Sequence, residues 1–363
     1  MSRTQLKAIC HKGSSSLRQK DVANDGPYAV YGAPGVIGHS STYQFEHPYL
    51  AVVKDGAGVG RVMACEAKTS VLGTMQAIKP NDGVDLYYLQ HLLKAMNLSS
   101  YYTGATIPHI YFKDYGNASV SLPSLSEQKA IAAVFRRHGQ LVEQYERMLE
   151  MLDELVKSRF VEMFGDPIDE SSPWPKLAIK DFCTLKIGPF GSSLHKQDYI
   201  TGGHPLVNPS HISDGKIVPA NDLTISEEKY QEMEAYHLEP GDVVLGRRGE
   251  IGRCAVVYSS GYLCGTGSMI VRPSDKCRPD YLQRVLSFPS FKDALERNAV
   301  GQTMKNLNAK IVGQAVVALP SINAQNEFAA FVQQVDKLEF ETQQAIDKLQ
   351  TLYDSLAQEY FGE

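Results

Sequence analysis

The chain has 363 residues, 43% of them hydrophobic and 21% charged, a composition that excludes a disordered polymer and allows two ordinary folded domains. No stretch approaches the roughly 18 consecutive apolar residues of a membrane span, and MSRTQLKAIC lacks an apolar core with a cleavage site, so a soluble, cytoplasmic protein with no membrane partner is expected. The net charge of −5 argues, taken alone, against a nucleic-acid partner, but the charge is unevenly spread.

Residues 1–122 carry 11 Lys and Arg against 8 Asp and Glu. The runs PYAVYG and PYLAVVKDG are short, β-rich and punctuated by glycine, and DLYYLQHLLKAM has helical spacing, which together predict an α+β domain. Its loop GSSSLRQKD (13–21) mixes polar donors. Arg18, Lys20, Lys54, Arg61, Thr106 and His109 are the candidate nucleic-acid contacts here. GAGVG (56–60) supplies a G-x-G, but Arg61 replaces the last glycine of G-x-G-x-x-G, so the dinucleotide fingerprint fails.

Residues 123–166 read as one long helix. Ser124-x-x-Glu127 is a capping box, in which side chains satisfy amides at a helix start that have no partner in the turn above. Leu141, Tyr145, Met148, Leu152 and Leu155 are spaced 4, 3, 4, 3, an apolar seam that calls for a facing helix. His138-Gly139 is a candidate break, and Gly165 with Pro167 is the stop.

Residues 167–320 return to the α+β pattern, with GDVVLGRRGEIGRCAVVY and SMIVRP as strands and DYLQRVLSF as a helix. The loops GPFGSSLHKQDY (188–199) and QTMKNLNAK (302–310) are rich in Ser, Asn, Gln and Lys. Arg247, Arg248, Arg253, Ser193, His195, Lys196, Lys305, Asn306 and Asn308 are the candidate contacts. Arginine can read guanine through two hydrogen bonds, while lysine mainly positions through phosphate. GRRGEIGR reads equally as a tight turn with solvated arginines, and each Ser/Asn/Gly loop as a simple turn.

Residues 321–363 repeat the helix. LPSINAQNEFAAFV (from Leu319) echoes LPSLSEQKAIAAVF (from Leu122) at an offset of 197, and 13 of the 45 pairs from Leu122–Asp166 to Leu319–Glu363 are identical. The echo extends backwards: Tyr88-Leu89-Gln90 matches Tyr281-Leu282-Gln283, and VGRV (59–62) resembles IGRC (251–254). The chain is therefore two tandem copies of a globular part followed by a helix. Leu338, Ala345, Leu349, Leu352 and Leu356 are the second seam, and Ala324 leaves its capping box incomplete.

Each helix is about 57 Å long at about 1.5 Å per residue. The globule between them, about 40 Å across, would have to carry the chain back along a whole helix if the two were parallel. Antiparallel packing is predicted, with a pseudo-two-fold axis and a globule at each end of a rod. The helical segments also hold the acidity: 6 Lys and Arg against 10 Asp and Glu in 123–171, and 2 against 8 in 321–363.

No phosphate-binding loop, no H-E-x-x-H and no C-x-x-C occurs. VNPSHI (207–212) lacks the second proline and the aromatic of the amino-methyltransferase tetrapeptide. The six cysteines are expected to be reduced, and no active site or metal site is evident.

LPSLSEQKAIAAVF opening a long helix, SRFVEMFGDP (158–167) closing it, and GPFGSSLHKQDY with GDVVLGRRGEIGRCAVV in the following globule resemble the specificity subunit of type I restriction-modification systems. The resemblance covers nearly the whole chain, and its most specific element is the order of parts: target-recognition domain 1 (1–122), spacer helix (123–166), target-recognition domain 2 (167–320), spacer helix (321–363). It implies that each domain reads one half of a split site in double-stranded DNA and that the helices set the gap. It further implies a non-catalytic chain in phage defence that docks two modification subunits, which are adenine methyltransferases, and then a restriction/translocase subunit. S-adenosylmethionine, ATP and Mg would belong to those partners, with no cofactor in this chain. Modest net charge implies weak DNA binding by the isolated chain. A non-DNA scaffold with two protein-binding heads and a coiled-coil spacer is the alternative, and an enzyme whose site escapes motif reading a second.

Overall fold

The structure, a computed structural model, describes residues 2–56, 58–103, 108–190, 193–213, 215–249, 251–298 and 306–362. They form two compact units, Met1–Met148 with Thr342–Glu363, and Leu149–Glu341, so each long helix contributes to both.

In the first unit a four-stranded antiparallel sheet runs in the order Cys10–Gly13, Met75–Pro80, Tyr49–Val53, Val62–Cys65. All five residues of Tyr49–Val53 are buried, because both faces of the sheet are covered. Leu50 and Val52, with Ile78, face the helix Leu86–Ala95 through Leu89, Leu92 and Leu93. Tyr49, Ala51 and Val53 point the other way, into a cluster with Val30, Phe45 and Met75. Asp85 starts that helix by accepting hydrogen bonds from the Tyr87 and Tyr88 amides. A three-stranded sheet (Gly35–Ser40, Tyr28–Gly32, Ser70–Val71) and a ribbon of Ser2–Gln5 with Ser119–Leu122 complete the unit.

The second unit repeats this frame. Its four-stranded sheet runs Cys183–Ile187, Ser268–Pro273, Val243–Gly246, Cys254–Val256, covered by the helix Pro279–Ser287. The ribbon is Lys176–Ala178 with Val316–Ala318. The two copies diverge in the remaining sheets, which in the second unit are a five-stranded sheet and a ribbon of Ile212–Ser213 with Lys216–Ile217, although the pairing of His204–Val207 with Tyr262–Cys264 is parallel, as is that of Tyr28–Gly32 with Ser70–Val71.

The long helices are Leu125–Phe164 and Ile322–Phe361, 40 residues each. They run antiparallel within each unit, since partner numbers fall along one helix as they rise along the other. In the first unit His138 Nε2 lies 2.7 Å from the Leu349 carbonyl, and the Phe135 and Tyr353 rings are 5.1 Å apart. In the second, the Arg159 guanidinium lies 5.8 Å from the Phe331 ring and Phe164 packs on Phe328 at 5.6 Å. His138-Gly139 does not break the first helix: His138 bonds to the other helix, and Gly139 is exposed with open space around it.

The seam is corrected at four of its ten expected positions, Met148, Leu155, Leu338 and Leu352. Its most buried positions are Phe135, His138, Leu152, Val156 and Phe160 on one helix and Phe328, Val332, Val335 and Thr342 on the other. Leu155, Leu338 and Leu352 are 46–48% exposed; Met148 is equally exposed, although its sulfur accepts from Thr342 Oγ1 at 3.6 Å. Leu141, Tyr145, Ala345, Leu349 and Leu356 are half-buried. The leucine-based expectation holds at Leu152 and at these half-buried positions and fails at Met148, Leu155, Leu338 and Leu352, while the buried His138, Val156, Val335 and Thr342 lie outside it.

The helix starts are tied to their globules by repeated residues. Gln128 Nε2 donates to the carbonyls of Pro123 (2.9 Å) and Gly83 (3.2 Å), and its Oε1 accepts from the Asp85 amide at 2.8 Å. Gln325 makes the same three bonds to Pro320, Lys276 and Arg278. Tyr88 Oη donates to the Ser121 carbonyl and Tyr281 Oη to that of Ala318. These residues recur because a buried amide or phenol must be satisfied in each unit.

Candidate nucleic-acid interface

In each unit a glycine-bearing turn after the central strand meets the segment that leads into the long helix. In the first, Lys54 donates its amide to the Thr74 carbonyl at 3.1 Å and its carbonyl accepts from the Ile110 amide at 2.9 Å. In the second, the Arg247 amide donates to the Gly267 carbonyl and its carbonyl accepts from Leu307, both at 2.9 Å. Lys54 and Arg247, Thr74 and Gly267 are each 193 residues apart, and Ile110 and Leu307 are 197 apart, so the junction is the same piece of architecture twice.

Gly60 and Gly252 have φ of +87° and +85°, which favours glycine in itself. A Cβ on Gly60 would lie 2.6 Å from the Ser99 amide nitrogen, and one on Gly252 would lie 2.4 Å from Lys292 Cγ. The sequence similarity of VGRV and IGRC therefore marks a backbone that passes very close to its neighbour.

The side chains at the junction differ between the units. His109 Nδ1 is 2.7 Å from Asp55 Oδ1, and the two residues form a β-bridge. In the second unit Arg247 Nε donates to Asn306 Oδ1 at 3.1 Å, and Arg248 forms the bridge with Asn306. Arg247 is only 6% exposed, and burial, followed by the charge of Arg248, lowers its pKa from the usual guanidinium value.

The other candidates are dispersed. Arg248, Ser193, His195 and Lys196 are exposed, with the His195 amide donating to Asp198 in a capping turn. Arg253 is half-buried and reaches the carbonyls of Pro209 and Ile212, and Asn308 caps the helix Ala309–Gln314 by accepting from the Ile311 amide at 2.9 Å. Of these, Arg247 is buried with its Nε turned to Asn306, whereas Arg253 is half-buried and Asn308 exposed, each spending part of its polar atoms on the fold. Arg61 is exposed with one bond to the Ala33 carbonyl, Arg18 pairs with Asp21 at 2.9 Å, Lys20 is exposed and Lys54 half-buried. Thr106 and Lys305 lie outside the described residues. Sequence reading left out Asp55, which the structure places at the junction beside His109, because its acidity hid it from a search for basic side chains.

The arrangement offers hydrogen-bond donors on loops of a rigid scaffold. Among the described residues no group of three His, Cys, Asp or Glu could hold a metal, and no helix is long and apolar enough to cross a membrane. Two similarly framed α+β units with antiparallel helix segments define the class as a tandem-repeat protein of two globular units and two long helices.

Comparison with known proteins gives the family. The model for the type I restriction modification DNA specificity domain matches residues 3–151 and 171–351, and the chain belongs to this family. It is similar to the type I restriction enzyme MjaVIII specificity subunit of Methanocaldococcus jannaschii, at 22% identity over 80% of this chain and 72% of that one. The EcoKI specificity subunit of Escherichia coli is 23% identical over 79% and 67% respectively. Among solved structures, the S subunit from M. genitalium has a TM-score of 0.59 at 15% identity, covering 100% of this chain and 96% of its own. A chain from work on complex assembly and conformational transition of the type I R-M system has a TM-score of 0.63 at 15% identity, covering 99% and 97%. The protein is thus a non-catalytic DNA sequence-recognition subunit of a type I restriction-modification system.

Proposed function

We propose that each unit reads one half of a split DNA site and that the two long helices fix the gap between the halves. The observation that carries this reading is the shared junction with unlike side chains. One main-chain frame is built twice, yet it presents Asp55 and His109 in one copy and Arg247, Arg248 and Asn306 in the other. Two unlike half-sites call for that combination of a common scaffold and different loops.

The helices are proposed to dock two methyltransferase subunits that bind S-adenosylmethionine, with a restriction subunit using ATP and Mg joining later. Their excess of carboxylates would repel phosphates laid along them. Met151 and Phe340 in the second unit, 72% and 64% exposed, add apolar surface of the kind that associates with protein.

The test is to express the chain with its methyltransferase subunits in a host free of adenine methylation and to map modified adenines by long-read sequencing. A motif of two specified blocks separated by a fixed number of unspecified bases is expected. A continuous motif would contradict the reading.

A further inference from the structure

We infer that the side-chain pairs Asp55–His109 and Arg247–Asn306 are positioning residues for sequence specificity, each fixing how its own unit presents its loops to DNA. This rests on the reading that each unit reads one half-site.

The argument starts from redundancy. The main-chain bonds through Lys54 and Arg247 already join the turn to the later segment in both units, so the fold does not require a second, side-chain bond there. Each unit nevertheless has one at the equivalent later position, reached from neighbouring turn positions and with different chemistry: Asp55 corresponds to Arg248, and Arg247 to Lys54. His109 and Asn306 are 197 residues apart, equivalent positions of the repeat. The contact is 2.7 Å between a histidine and a carboxylate in one case, and 3.1 Å between a buried guanidinium and an amide oxygen in the other.

The direction of the bonds limits what these groups can do. Arg247 turns its Nε to Asn306 and is nearly inaccessible, so it cannot lie across a guanine edge as placed. Asn306 uses its oxygen on Arg247 and its backbone in the bridge to Arg248, whose own side chain is exposed. Arg247 and Asn306 therefore hold the backbone from which Arg248 projects. Asp55 and His109 hold the turn that continues through Gly56, whose amide donates to the Pro108 carbonyl at 3.1 Å. A small displacement of such a turn changes which base edges come within hydrogen-bond range, because direct readout depends on near-ideal geometry.

The test uses the intact complex with its methyltransferase subunits and reads the methylated motif genome-wide. Asn306→Ala and His109→Ala remove the bonds; Asn306→Asp and Asp55→Asn keep an acceptor in place. Asn306→Ala should loosen one half of the motif, with methylation at sites bearing one substituted base rising about tenfold. His109→Ala should loosen the other half, and both acceptor-retaining variants should keep the parent motif. Thermal melts and co-purification of each complex separate loosening from unfolding. If the acceptor-retaining variants changed the motif as much as alanine does, the side chains would be direct readers and the inference would be overturned. An unchanged motif in all four variants, or a uniform loss of methylation without new bases, would overturn it too. Loosening of both halves by a single variant would contradict the underlying assignment of one half-site per unit.

Discussion

Gln128 and Gln325 are 1% and 0% exposed and each bridges three main-chain groups of its own unit. Replacing either by alanine strands those groups without water, and a loss of about 3 kcal/mol in chemical denaturation of the affected unit is expected. The six cysteines are all buried and free, and burial pushes Cys10 and Cys254 up to about 12. They should react with a thiol reagent only as fast as the protein opens. His91 stacks on Phe135 at 4.6 Å and lies 3.5 Å from Tyr353 Oη. Burial, then Lys94 and His138, lower its pKa from 6.5 to about 4. Below pH 6.5 the unfolded chain therefore binds a proton that the folded unit resists, so stability should fall as pH drops from about 6.5 to about 4. His91→Gln should flatten that slope in equilibrium unfolding measured across the window.

Between helix and globule, the apolar faces decide which contacts carry stability. Phe160 is 1% exposed among Phe164, Tyr281, Phe288 and Phe328, so Phe160→Ala should cost about 3–5 kcal/mol. Leu155→Ala, at a position 46% exposed, should leave the melting temperature nearly unchanged and, on the proposed docking, weaken association with the methyltransferase subunit. The first helix start was legible in Ser124 and Glu127, which form both bonds of the capping box. At the second, Ser321 Oγ still accepts from the Ala324 amide, and Ala324 packs against the core, which explains the missing glutamate. The seam was less legible: it includes His138 and Thr342, residues whose burial depends on a partner helix that periodicity alone does not supply. The divergent sheets, five strands against three, were illegible as well, since many are two-residue strands with too few positions to show alternation.

For the whole molecule, the tandem repeat, at offset 197 in the helices and 192 to 193 in the earlier parts of the globules, was the most informative signal, and the structure explains why it is discontinuous. Identity survives where a residue satisfies the frame, at Gln128, Tyr88 and Gly60 and their counterparts, and fades in the loops. The basic residues singled out for those loops fared unevenly because charge type does not reveal whether a guanidinium points outward, as at Arg248, or inward, as at Arg247. Inserting seven residues into both helices at matched positions should add about 10 Å, or about three base pairs, to the gap in the recognised motif. The central claim, that each domain specifies its own half-site, is tested most directly by replacing residues 1–122 with the corresponding domain of another family member and mapping methylated adenines. One half of the motif should change while the other half and the gap stay fixed; a change in both halves, or in neither, would contradict it.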